Sequence, residues 1–142
     1  MKVYVDTNIF VYAIENHPKY GKSCARILSD IQERRTEAYC SILVLVELIN
    51  VLAKLNRIFS KKGQKTLVIR DNVRAMLSLP IVWIDLDFFI IEIASAYGYS
   101  VNGVDYVHIA SMETNSLTQI LSADEELDNV ESIRRVDPND YR

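Results

Sequence analysis

Apolar residues in this chain fall alternately into short continuous runs and longer stretches of helical period. Val3-Tyr4-Val5 follows Lys2 and stops at Asp6, which predicts a short buried strand over residues 2–5. Residues 7–15 have the pattern of a helix that must end before Pro18, and a second helix is predicted from about 20 to 35. Residues 38–41 form a short strand candidate. Residues 42–57 predict a long helix with one apolar face and with Glu47, Asn50 and Lys54 along the other side. A further helix is expected from residue 60 or 61 to 77, then a strand at Ile81-Val82-Trp83-Ile84 after Pro80. Helices over 85–97, stopped by Gly98, and over 104–114 follow. A strand at 117–121, an acidic helical turn at 124–128 and a last strand at 133–136 complete the pattern. Strands alternating with helices predict an α/β fold with a mostly parallel sheet.

The chain has 142 residues, 49% of them hydrophobic, which suits one domain over residues 1–142 with a sizeable core. Its net charge of −3 excludes a protein that holds nucleic acid by overall positive charge. A local cluster of carboxylates that binds divalent cations would invert the field where it matters. No apolar run reaches transmembrane length, and no secretory leader is expected, because the first apolar run ends at Asp6. Cys24 and Cys40 have neither a CxxC partner nor zinc spacing, and are expected to be reduced, packed thiols of a cytoplasmic protein. Gly21, Gly63, Gly98 and Gly103 are scattered, so there is no glycine-rich phosphate loop, and no Gly-x-Ser-x-Gly elbow is present.

In open parallel sheets, ligands bind outside the carboxyl ends of the strands. Asp6 follows the first strand, and Asp124 follows the 117–121 strand by three residues, so both are expected at one edge. Glu47 is flanked by Leu43–Val46, Leu48 and Ile49. A carboxylate there either begins the solvent stripe of its helix or is partly desolvated and compensated by a bound cation. Asp105 lies at the start of the 104–114 helix, where the helix dipole alone favours an acid. Divalent ions on a phosphodiester need several hard oxygen ligands from different elements, and the four acids together meet that need. His108 falls on the face of Asp105, where packing is the commoner role and support of a ligand the other.

Taken in order, these residues resemble PIN-domain nucleases. Val5-Asp6-Thr7-Asn8-Ile9-Phe10 is similar to the opening motif of that family. Ser41 followed by Glu47 in an apolar helix resembles the second motif, and Asp105-Tyr106-Val107-His108-Ile109-Ala110 the third. Ser122-Ala123-Asp124-Glu125-Glu126-Leu127 resembles the fourth, and Val136-Asp137-Pro138 the ending. The resemblance implies a three-layer α/β/α sandwich and an acidic pocket for Mg²⁺ or Mn²⁺ that hydrolyses RNA through an activated water. It implies Asp6, Glu47, Asp105 and Asp124 as the catalytic and metal-binding acids, with Asn8 and Ser122 as supporting polar groups. Glu126 and Leu127 stand where the family often has aspartate and phenylalanine, which puts a fifth acid in doubt. Many family members of this length are VapC-type toxins neutralised by an antitoxin, and a homodimer is expected. The alternative is a non-catalytic scaffold on the same fold. A receiver domain or haloacid-dehalogenase-type phosphatase is disfavoured, because Thr7 and Asn8 stand where a second acid would be required.

Charge is segregated along the middle of the chain. Between Leu48 and Arg70 there is no acid, but there are Lys54, Arg57, Lys61, Lys62 and Lys65. These are expected either to form a basic rim that tracks the RNA backbone or to be a solvated face.

Overall fold

A computed structural model describes residues 1–142. Five strands, β1 (Lys2–Val5), β2 (Glu37–Ser41), β3 (Ile81–Ile84), β4 (Gln119–Leu121) and β5 (Arg134–Val136), form one sheet in the order β3-β2-β1-β4-β5. Every pairing is parallel. Six helices surround it: α1 (Thr7–Ile14), α2 (Gly21–Gln32), α3 (Leu43–Lys61), α4 (Ile69–Ser78), α5 (Phe88–Ser95) and α6 (Gly103–Thr114).

The two faces of the sheet follow from the two-residue period of a strand. Val3 and Val5 point to a core shared with α1, α2, α3 and α4, which includes Ile9, Ile27, Ile31, Val44, Leu48 and Leu52. Tyr4 points the other way, into a core with Ile90 and Ala94 of α5 and Ile109, Ala110 and Met112 of α6. The result is the three-layer α/β/α sandwich expected from the sequence. Both cysteines are buried in the first core and unpaired, and burial pushes the Cys24 thiol up to about 12 and raises that of Cys40 as well. No helix is long and apolar enough to cross a membrane.

Strand order sets the position of the site. From β1 the chain moves outward through β2 to β3, then returns to place β4 and β5 on the other side of β1. The direction therefore reverses between β1 and β4, which is where a doubly wound sheet opens a crevice. The Asp6 amide still donates to the Leu121 carbonyl at 3.0 Å, so the two strands part just beyond that bond.

The middle of the chain departs from expectation. The helix predicted from residue 60 or 61 to 77 is not continuous: α3 runs on through Lys61, residues 62–68 form a non-helical link, and α4 starts at Ile69. Gly63 takes a positive φ of 67°, which ends the helix at a position other residues adopt only with strain. Asn56 then ties the link back to α3, accepting from the Leu67 amide at 2.7 Å and donating to its carbonyl at 2.9 Å. Lys61 and Lys62 consequently lie at the end of α3 and Lys65 in the link, not at the head of a new helix. α5 also starts later than the expected residue 85, because Asp87 accepts from the Ile90 amide and caps the helix there.

Candidate active site

Asp6 is both the residue after β1 and the N-cap of α1, where its Oδ1 accepts from the Thr7 amide at 2.8 Å. It is only 8% exposed. Oδ2 accepts from the Ser122 hydroxyl at 2.6 Å and from the Asn8 amide nitrogen at 3.3 Å. Asn8 also donates to Ser122 Oγ at 3.0 Å, and its own carbonyl accepts from the Ala123 amide at 3.1 Å. Asn8 and Ser122 thus tie the ends of β1 and β4 together around one carboxylate. Burial raises the Asp6 carboxyl, an effect that the charge of His108, Ser122 and the Thr7 amide only partly offset.

Glu47 lies on the second turn of α3, on the opposite wall. Its Oε1 accepts from the Thr7 hydroxyl at 2.9 Å and meets His108 Nε2 at 2.5 Å. Burial acts to raise this carboxyl, but the hydrogen bond and charge of His108 and the Thr7 hydroxyl outweigh it and lower it. The helix that carries Glu47 therefore does not simply turn it to solvent. Its partial burial is compensated by two groups from other elements.

His108 is 2% exposed. Its Nδ1 lies 2.5 Å from the Tyr4 hydroxyl, which also accepts from the Ser41 amide at 3.2 Å. With both ring nitrogens engaged, His108 is less suited to hold a metal than to orient Glu47, although Asp6, Glu47 and His108 offer donor atoms all within 4.8 Å of one another. Burial acts against its protonation, but Glu47, Asp6 and Asp105 prevail and raise its pKa.

Asp105 lies in the first turn of α6, but it does not cap that helix. Asn102 does, accepting from the Val104 amide at 3.0 Å. The Asp105 carboxylate makes no hydrogen bond to the protein. Burial first, then the charges of Asp6, Asp124 and Glu47, push it up to about 7 against the pull of His108. Asp124 caps the 3₁₀ turn Glu125–Asn129, accepting from the Glu126 amide at 3.0 Å, and its own amide donates to Ser122 Oγ. The Glu126 side chain is exposed and does not line the pocket.

Asp6, Glu47, Asp105 and Asp124 line a single pocket of about 270 Å³, together with Thr7, Asn8, Val11, Tyr12 and Val51. A larger cleft of about 390 Å³ between α1, α2 and α4 is mainly apolar, walled by Phe10, Ile14, Leu28 and Met76, and has no titratable side chain. Along α3, Glu47 and Val51 face the acidic pocket and Lys54 follows one turn on. Lys54, Arg57, Lys61, Lys62 and Lys65 are all exposed.

Sequence reasoning named the four acids and, beside Asp6, Asn8 and Ser122, but it missed Thr7 and Tyr4, which help to hold Glu47 and His108. Thr7 reads only as the start of α1, and Tyr4 as one apolar member of a buried strand. The partners of both come from distant parts of the chain. For His108 the signals are its position one turn after Asp105 and its place in the motif Asp105-Tyr106-Val107-His108-Ile109-Ala110.

The PIN domain model matches residues 3–133, and the chain belongs to the PIN domain family. No curated protein matches it. Among solved structures it is similar to VapBC2 from Rickettsia felis bound to a DNA fragment from the promoter, with a TM-score of 0.68 at 17% identity over 96% of this chain and 98% of that one. It is also similar to Mycobacterium tuberculosis VapC20, a toxin that cleaves the sarcin-ricin loop, with a TM-score of 0.67 at 15% identity over 91% and 95% of the two chains. A toxin-antitoxin complex from Klebsiella pneumoniae matches at a TM-score of 0.63 and 16% identity, over 96% of this chain and 97% of that one. At these identities the likeness is one of fold.

Proposed function

We propose that this chain is a Mg²⁺- or Mn²⁺-dependent endoribonuclease and the toxin of a toxin-antitoxin pair. The observation that carries the reading is the convergence of Asp6, Glu47, Asp105 and Asp124 on one pocket at the point where strand order reverses. The donor set fits a hard divalent cation, because it is all carboxylate oxygen and includes, in Asp105, one group with no protein partner. Such a cation supplies charge neutralisation and Lewis acidity toward a phosphodiester and a water.

The chain's own residues prepare the rest. Ser122, Asn8 and the Thr7 amide hold Asp6 from below, and Thr7 and His108 hold Glu47 by a single oxygen. That leaves Oε2 of Glu47 and both oxygens of Asp105 to bind a cation or orient a water. The exposed cations from Lys54 to Lys65 extend away from the acidic pocket along α3 and are assigned to the RNA backbone. The antitoxin partner is supported by neighbours that are themselves toxin-antitoxin assemblies. A homodimer is part of the reading, and Phe88 (93% exposed) and Phe89 on α5 are the apolar surface proposed to form it.

The test is incubation of the purified protein with mixed single-stranded RNAs in Mg²⁺, in Mn²⁺ and in chelator, beside Asp6→Asn. Internal cleavage that needs the metal and is lost in the variant supports the reading. RNA bound but intact under every metal condition would leave the non-catalytic scaffold.

A further inference from the structure

α1 and α2 meet at a corner that carries three aromatic rings and a lysine. Tyr12 and Tyr20 are nearly parallel, 9° apart with centroids 5.4 Å distant. The His17 ring lies 4.4 Å from that of Tyr12 and 5.4 Å from that of Tyr20. Lys19 Nζ is 5.0 Å from the Tyr20 ring centroid. Tyr12, His17 and Tyr20 all remain partly exposed, and Tyr12 is itself a wall of the acidic pocket, beside Asp6, Asp105 and Asp124.

The corner is held in one shape. His17 Nδ1 accepts from the backbone amides of Lys19 at 3.1 Å and Tyr20 at 3.3 Å, which fixes the ring and leaves Nε2 as the protonated nitrogen. The His17 amide donates to the Tyr12 carbonyl, and Gly21 donates to the His17 carbonyl at 2.8 Å. Gly21 sits so close to Asn16 that a Cβ there would lie 2.8 Å from the Asn16 carbonyl carbon, so the turn tolerates no larger residue without shifting. Asn139, from the C-terminal 3₁₀ turn, donates to the Lys19 carbonyl. A packing role alone would be served by aliphatic side chains. Tyr12 and Tyr20 are nearly parallel and partly exposed, His17 is tilted against both, and Tyr12 reaches the acidic pocket; a fixed aromatic cluster at that edge suits the flat face of a base.

We propose that Tyr12, His17 and Tyr20 form a stacking platform for a base of single-stranded RNA next to the scissile phosphate, with Lys19 beside it for an adjoining phosphate. The inference rests on the ribonuclease reading of the acidic pocket. A single strand presents an unstacked base face to such rings, whereas a duplex keeps its bases stacked on one another. Stacking accepts any base, so the platform sets strand state and register more than sequence.

The experiment uses the Asp6→Asn protein, to stop turnover, and short RNAs with 2-aminopurine at successive positions. Binding should quench fluorescence at one position. Tyr12→Leu should abolish that quenching and weaken binding roughly 5- to 160-fold, the span expected for one base stacked on an aromatic ring. Tyr12→Phe should preserve both, and Tyr20→Leu should weaken both. An RNA made abasic at the quenched position should bind wild-type and Tyr12→Leu platforms equally, a result that loss of fold would not produce. Thermal melting of each variant identifies one that is unfolded, and Tyr20→Leu then stands in for it. Unchanged quenching and affinity in Tyr12→Leu, with metal-dependent cleavage intact in the Asp6-containing protein, would overturn the platform and leave the nuclease standing. Failure of the Asp6-containing protein to bind or cleave any RNA would overturn both.

Discussion

Glu47 Oε1 and His108 Nε2 lie 2.5 Å apart, and the contact joins the two helical layers across the carboxyl edge of the sheet. Glu47 belongs to α3 on one face and His108 to α6 on the other. Behind His108, the Tyr4 hydroxyl and the Ser41 amide continue the chain of hydrogen bonds into β1 and the end of β2. The orientation of one pocket carboxylate is thus set jointly by Thr7, which lines the pocket, and by His108, Tyr4 and Ser41, which do not.

Tyr4→Phe tests that chain. It removes a fully buried hydroxyl and strands both the Ser41 amide and His108 Nδ1. Leaving such groups unpaired costs about 1–3 kcal/mol, read by urea denaturation. Apparent Mn²⁺ affinity should fall as well, by less than the roughly 10–100-fold expected when a metal ligand loses the group bonded to it, because Tyr4 acts on Glu47 only through His108. Unchanged stability and metal affinity would mean that the relay does not hold Glu47 in place.

Asp105 makes the metal-free protein pH-sensitive. Its carboxyl, raised to about 7, is protonated in the folded state at pH values where the unfolded chain has lost that proton. Its stabilisation is therefore full below the ordinary aspartate pKa and is lost as pH rises toward and through 7. In chelator, wild type should lose stability relative to Asp105→Asn between about pH 4 and pH 8. Denaturation of the two proteins at a series of pH values checks this. A difference between them that stays constant with pH would contradict it.

The parts of this architecture legible in the sequence are those set by local pattern. Val3-Tyr4-Val5 announces a buried strand, and an acid just past it marks the strand end where sites collect. The apolar run around Glu47 marks that carboxylate as unusual. The sequence could not show what compensates it, because Thr7 and His108 are separated from it by 40 and 61 positions and meet it only in the folded chain. The break between α3 and α4 was hidden for a different reason. Lys61, Lys62, Gln64 and Lys65 all favour helix, and the interruption depends on Gly63 and on a side-chain clasp from Asn56. At the α1–α2 corner, His17 beside Pro18 reads as a loop, and nothing in the sequence brings its ring against Tyr12.

The basic rim should appear in the salt dependence of binding. With cleavage blocked by Asp6→Asn, replacing Lys61, Lys62 and Lys65 with glutamine should weaken RNA binding and flatten the plot of log affinity against log salt. The slope should fall by about 0.7 for each phosphate of a single strand that is no longer neutralised. An unchanged slope would assign RNA entry to another face.

The α5 surface should govern self-association. Phe88 and Phe89 are exposed to an extent unusual for phenylalanine, at 93% and 65%. Sedimentation at micromolar concentration should show a dimer that Phe88→Asp with Phe89→Asp converts to a folded monomer. A wild-type monomer at high concentration, or a variant that remains dimeric, would place the surface outside the interface.

The central claim is that four carboxylates from four parts of the chain serve one metal-dependent site. Its most direct measurement is the initial rate of RNA cleavage across a Mn²⁺ titration for wild type, Asp6→Asn, Glu47→Gln, Asp105→Asn and Asp124→Asn, each first shown to be folded. A wild-type rate that rises to saturation with metal, is abolished by chelator and falls about a hundredfold or more in every variant is the predicted result. Cleavage that persists in chelator, or any one variant that keeps the full metal-dependent rate, would contradict it.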